Sequence, residues 1–567
     1  MCLSGSLALL MPVHLCFAIV FVIFAYPLEA LYGKRSLWAL DAVLVLLTVS
    51  AGIYFVQNAG SLTGNADQSI TPDTPGLVAT VFILIAILEA VRRVAGIEFF
   101  LILLLFFVYA FAGRIMPGIL KAPGVQPVEL LETLGLSGGG IFEMPLKVSA
   151  KLLFFFPVLG ALFDLCGADD LLSVFSIRIS KKLKGGAGKA AVISSGLMGL
   201  FSGSAEANVS QTGKYTIPLM KKSGYLPEEA GAIEASASLG GQLLPPVMGA
   251  GAFIMAEITG ISYLRIAGAA LIPGIAWFLS IYVFVHIFSK KNNIGNINET
   301  AQRYDISFKD AVRLIPFGLL PVLFCAGCGL PVSLVVCIAV SCALCFIIKT
   351  GRPSKKEFME KIFKGISQSA YFAVTTAACG IMMGIMLETG LADRISGILK
   401  RAGQLGLVYA LILAAVTVLI LGMPLPAVAA YLVSSALFAG VIKMLLDFKE
   451  ITAGTDTVLI ANLFIFCFAI VSQITPPVCQ TSLSASEIAG SDPVKTSRLA
   501  CFFAFAAFVI PFVIVLCPPV VLEGGAAGIA AAFCGMILGA AVLGGLAAFL
   551  YLSFSGKKIS RGDDDEG

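Results

Sequence analysis

Histidine is almost missing from this chain: only His14 and His286 occur among its 567 residues, and they stand far apart. Metal or triad chemistry built on imidazole has nothing to assemble from, so an intramembrane enzyme is not expected. Charge is scarce too, at 13% of residues against 58% hydrophobic ones, a balance that excludes a water-soluble globule of this size. A net charge of +4 is too small for a nucleic-acid footprint. No basic segment precedes the first apolar run, so that run reads as a first membrane helix and not as a cleaved leader. Cysteine is present in 14 copies, nearly all in apolar segments, where a thiol packs as a small hydrophobe. Cys325-x-x-Cys328 and Cys342-x-x-Cys345 imitate paired zinc knuckles, but their surroundings offer no polar groups to support a metal.

What the chain has in plenty is apolar runs of bilayer length. Four of them, starting near Leu7, Leu37, Leu77 and Phe99, make an N-terminal block over residues 1–117. Residues 118–146 are too polar to span and read as an interfacial linker. A transport unit is expected over 147–556, with continuous spans near 148–167, 264–288, 314–330, 331–348, 366–387, 500–521 and 527–554. Residues 557–567 form a polar tail. Most paired basic residues, including Lys34-Arg35, Arg92-Arg93, Lys290-Lys291 and Lys557-Lys558, fall on one side and place that tail in the cytoplasm; Lys400-Arg401 and Lys443 are exceptions. The fold class is all-α and polytopic.

Two stretches do not fit continuous helices. Gly240–Gly260 carries Gly240, Gly241, Gln242, Pro245 and Pro246, and a weaker copy at Gln473–Gly490 carries Gln473, Thr475, Pro476 and Pro477. A Pro-Pro pair in an apolar run removes backbone donors and stops a helix. In lipid such a break survives only where it is buried in protein or lines a polar cavity. The segment Gly160 to Asp164, with Ala168-Asp169, matches Gly384 to Glu388, with Ala392-Asp393, so a unit of about 148–260 recurs at about 370–490. An odd number of crossings between the copies implies an inverted repeat, the architecture of alternating-access carriers. Each copy also carries a hairpin pattern, one over 190–220 and one over 405–443, the latter with Gly422, Met423 and Pro424 at its tip.

The first hairpin gathers Ser202, Gly203, Ser204, Glu206 and Asn208 at membrane depth. Such groups satisfy one another or face a wet cavity. A half-helix N-terminus there offers amide hydrogens to an anion, and unwound carbonyls suit a hard cation. Glu206 and Lys214 read either as an ion pair or as a proton site and a contact to a substrate carboxylate; Glu234, six residues before the break, is a second proton candidate. Glu257 and Glu487, at the far ends of their breaks, read as helix caps near the interface.

The stretches Gly199–Tyr225, Glu234–Glu257 and Asn462–Val478 resemble the fused permease of tripartite ATP-independent periplasmic (TRAP) transporters, and within them the TAXI branch. The resemblance covers nearly the whole chain. It implies an ion-transporter-type elevator fold with a four-helix scaffold, and no cofactor. It also implies a TAXI-type extracytoplasmic binding protein that delivers a small organic anion of dicarboxylate, 2-oxoglutarate or glutamate type. Coupling would be to Na+ or H+, in the inner membrane; a standalone carboxylate carrier of the same fold is the alternative. By motif, substrate contacts would fall on Ser202, Gly203, Ser204, Asn208, Lys214, Gly422, Met423 and Pro424. Coupling-ion contacts would fall on Ser202, Asn208, Gly240, Gly241, Gln242, Pro245, Pro246, Gln473, Thr475, Pro476 and Pro477. The chain departs from its relatives at Glu206, Lys214, Asn462 and Gln473, which leaves ion and ligand open.

Overall fold

A computed structural model of the protein describes residues 2–62, 73–297, 312–347, 353–448, 456–523 and 525–554; the polar tail lies outside them. Among the described residues there is no strand, and eleven helices are long and apolar enough to cross a membrane, or twelve with the bent pair Pro493–Phe503 and Phe505–Leu516. The protein is an all-α polytopic membrane protein.

The N-terminal block consists of Cys2–Ala25, Trp38–Gln57, Thr74–Val94 and Gly96–Ala112. One fully buried cation ties it together. Arg93 reaches Asp41 at 2.6 Å and Glu89 at 2.8 Å, and Asp41 also accepts from the Leu28 amide. Removing the guanidinium strands a buried carboxylate, so Arg93→Ala is expected to cost about 3–5 kcal/mol, measured as thermal unfolding of the purified protein. Arg93→Lys should recover only part, because a lysine cannot fork between two carboxylates.

The linker is packed between two helices. A Cβ on Gly135 would lie 2.1 Å from the Thr80 hydroxyl, and one on Gly380 would lie 2.3 Å from the Gly140 carbonyl oxygen. Gly380 and Gly384, one turn apart, let the linker backbone lie directly on the long helix Lys355–Thr389.

Several boundaries differ from the sequence reading. The span expected from Val148 starts at Met144, with Pro145 in its first turn. The helix expected over 314–330 is only Ile315–Cys325, about 16 Å long, because the chain turns at Gly327 (φ +85°). The helix expected from Ile366 begins eleven residues earlier, at Lys355, where the Ser354 side chain caps it by accepting from the Glu357 amide.

Element order repeats. Met144–Leu165, Ala168–Ser180, the hairpin Gly186–Ser202 and Ala205–Lys222, and the broken helix Pro227–Gly240 and Ala250–Thr259 form the first series. Lys355–Thr389, Leu391–Leu405, the hairpin Leu407–Gly422 and Ala427–Phe448, and the broken helix Thr457–Val471 and Gln480–Ala489 form the second. Backbone detail repeats with it. Pro245–Pro246 and Pro476–Pro477 are both cis, and the residues two places on, Met248 and Cys479, are both left-handed. Each broken helix ends at a left-handed glycine, Gly260 or Gly490.

The copies also pack reciprocally. The first half of each broken helix lies against the second half of the other, and the second arm of each hairpin does the same. Reciprocal contact of this kind is what a two-fold relation between copies produces.

Candidate functional site

Each hairpin tip is fastened to its own break. At the first, Val247 N donates to Leu200 O at 3.2 Å, and the two hairpin arms are themselves joined by Asn208 Nδ2, which donates to Ser195 O at 2.8 Å. Gly199 and Gly241 touch backbone to backbone: a Cβ on Gly199 would sit 2.4 Å from the Gly241 Cα. At the second, Gln473 Nε2 donates to Leu425 O at 2.9 Å and Gly422 O at 3.2 Å, and within the break Thr475 Oγ1 donates back to Val471 O at 3.0 Å.

The first tip is also a helix start. Ser202 ends one arm, Gly203 turns at φ +62°, and the Ser204 side chain caps the next arm by accepting from Ala207 N at 3.3 Å. The Ser204 hydroxyl also donates to Glu206 Oε2 at 2.8 Å.

This tip faces a cavity of ≈ 730 Å³. Ser202, Ser204 and Glu206 line one side, and Pro477, Gln480 and Ser484 of the second broken helix continue it. The long helix lines the same cavity with Lys361, Lys364, Gln368 and Tyr371, and the N-terminal block adds Tyr26 and Glu98. A void of ≈ 30 Å³ behind Ser204 and Glu206 runs to Gln242 and to Pro426 of the second tip.

Of the residues singled out in the sequence, Ser202, Gly203, Ser204, Glu206, Gln242 and Pro477 meet at these two spaces. Asn208, Gly240, Gly241, Pro245, Pro246, Gly422, Met423, Pro424, Gln473, Thr475 and Pro476 line neither; they shape the tips and breaks behind them. Lys361, Lys364, Gln368 and Tyr371 were missed, although their i, i+3, i+7, i+10 spacing marks one helix face.

Lys214 does not reach Glu206. It lies 3.0 Å from Asp169, 3.7 Å from Asp164 and 3.9 Å from Asp170, while Asp164 is also paired with Lys361. Asp169 belongs to Ala168–Ser180, which is not among the membrane-length helices. Burial, then the charge of Asp164, pushes its carboxyl up to about 7, against the pull of Lys214. The native state therefore binds this proton more tightly than the unfolded chain does. The resulting stability is fully present below the ordinary carboxylate range and is lost as pH rises toward 7. Asp169→Asn is expected to flatten the fall in unfolding temperature between about pH 4 and 7, read by thermal unfolding in detergent across that range.

Glu234 is fully buried between the hairpin arms and the first broken helix. Its Oε1 accepts from Ser195 at 2.9 Å, from Ser238 at 3.3 Å and from Thr212; its Oε2 meets Thr216. All four partners are hydroxyls, and among the described residues no cation pairs with it. Thr212 and Thr216 also reach the Asn208 and Thr212 carbonyls, which only accept, so their single hydrogens are contested. Elsewhere, Glu257 lies within 3.8 Å of Lys147 and Lys151, and Cys345 packs beside Cys166 in a small apolar cluster.

Membrane-length helices, two reciprocal broken helices and a polar cavity at a hairpin tip define a multi-pass membrane permease. The chain matches the family described as "Tripartite ATP-independent periplasmic transporter, DctM component" over residues 82–525, most of its length, and it belongs to that family. The match begins inside the third N-terminal helix. No curated protein matches the chain.

Proposed function

We propose that the chain is the fused permease of a TAXI-type TRAP system in the inner membrane. It would take up a small organic anion delivered by an extracytoplasmic binding protein, driven by a Na+ or H+ gradient through elevator-type alternating access. The N-terminal block acts as the small subunit and scaffold. The observation that carries this reading is the cavity that the hairpin tip and second break share with Lys361 and Lys364.

The two coupling ions would use different groups. For Na+, the first hairpin tip and its break offer oxygen ligands: the Ser202 hydroxyl, the turn carbonyls and Asn208 Oδ1, whose hydrogen-bond contact among the described residues is Thr212 at 3.4 Å. The second break offers the Gln473 Oε1, buried with no hydrogen-bond partner among the described residues, while Nε2 of the same amide donates to the tip carbonyls. For H+, Glu234 is the candidate, since it is a fully buried carboxylate with hydroxyl partners and no paired cation among the described residues.

The test is uptake of labelled carboxylates into liposomes containing the full chain, with and without the binding protein, under imposed sodium, proton or electrical gradients. Accumulation that depends on the partner and on one gradient is expected. Uptake that needs neither would contradict the proposal.

A further inference from the structure

The cavity carries a carboxylate where an anion carrier has least use for one. Glu206 sits in the first turn of Ala205–Lys222, so its charge already occupies the positive end of that half-helix. Ser204 donates to Oε2 at 2.8 Å and orients the group; among the described residues no cation pairs with it. The tip is thus already supplied with its anion, and a second one there would meet like charge.

The cations that line the same cavity are unequal. Lys361 is engaged by Asp164, whereas Lys364, one turn further along, has no carboxylate within ion-pair reach among the described residues. Lys361, Lys364, Asp164 and Glu206 sum to zero formal charge, and Glu98 at the exposed edge adds one more negative group. A dicarboxylate would enter this space with two negative charges, of which Lys364 can pair one, and would leave Glu206 without a counter-charge. A molecule with one ammonium and one carboxylate, the first toward Glu206 and the second toward Lys364, leaves both lining charges paired.

We infer that the substrate is an amino-acid zwitterion, with Glu206 as the residue that selects its ammonium group. The inference rests on the transport reading above. It turns the hairpin tip from a receptor for anions into a receptor for cations, and hands carboxylate binding to Lys364 with Gln368 beside it.

Pairs of labelled probes that differ only at C2 test it: glutamate against 2-oxoglutarate, alanine against pyruvate, leucine against 4-methyl-2-oxopentanoate. Uptake is measured in liposomes holding the full chain, with the same binding protein throughout, for the unmodified chain and for Glu206→Gln, Glu206→Asp and Lys364→Met. The amino member of at least one pair should be preferred. Glu206→Gln should lower its uptake by roughly tenfold or more, the worth of one charge-assisted contact, while its oxo partner is unchanged or gains. Glu206→Asp should keep part of the preference, which also shows that the tip still folds. Lys364→Met should lower both members alike, since both carry the carboxylate. Preference for the oxo member, or an equal fall of both in Glu206→Gln as a proton-carrying role would give, overturns the zwitterion assignment and leaves transport standing. Uptake of no probe under any gradient overturns the transport reading and this one with it.

Discussion

Glu234→Gln is expected to leave a folded permease that no longer accumulates substrate against a gradient. Glutamine has nearly the same shape and can still accept from Ser195 and Ser238, so the cage keeps its packing. It cannot gain or lose a proton, and it cannot balance a cation. If this carboxylate is the group whose charge changes during transport, gradient-driven uptake should fall roughly 5- to 150-fold, the range of a coupling free energy of about 1–3 kcal/mol. Glu234→Ala should do something different. It takes the carboxylate acceptor from the buried Ser195 and Ser238 hydroxyls, each lost bond costing about 1–3 kcal/mol, while Thr212 and Thr216 keep their backbone acceptors, so folded yield falls together with uptake. Comparing the two separates coupling from stability. A Glu234→Gln protein that accumulates substrate normally would remove the residue from the mechanism.

The second large effect is steric. Gly199→Val should abolish transport and most of the folded protein, because even the first added carbon would lie 2.4 Å from the Gly241 Cα. The atom in the way is backbone, which cannot rotate aside as a side chain can. Overpacking of a tight interior costs about 1–3 kcal/mol and more where relaxation is blocked. The matched control is Gly440→Ala, also helical but with open space around its Cβ position, which should be neutral or mildly stabilising by up to about 1 kcal/mol. Monodisperse yield after extraction and uptake in liposomes read both variants. Normal yield of Gly199→Val would mean that the hairpin does not have to close on its break.

Much of this architecture is legible in the sequence because the signals are local. Apolar runs give the spans, Pro-Pro pairs give the breaks, and glycine beside hydroxyl residues gives the tips. Those signals located Ser202, Ser204, Glu206, Gln242 and Pro477 at the cavity. The long helix's share of the cavity lining stayed hidden because Lys361 and Lys364 look like ordinary polar residues before a span, and only the helix start at Lys355 turns them onto one face with Gln368 and Tyr371. Partnerships between distant segments are the remaining gap. Asp164 and Asp169 marked a repeat without announcing that they hold Lys214. Of the hydroxyls around Glu234, Ser238 alone lies one turn away in the same helix; the others arrive from the hairpin arms.

The reciprocal packing of the two copies sets a problem of biogenesis. Pro227–Gly240 rests on Gln480–Ala489, which is synthesised only after nearly the whole chain has left the ribosome. Until then the hairpin and broken helix of the first copy have one face unmet. Neither copy can mature early and wait for the other. Quality control in the membrane therefore sees the chain as one indivisible unit, and a truncation anywhere before the second broken helix should expose the first copy to proteolysis even though every residue of that copy is intact.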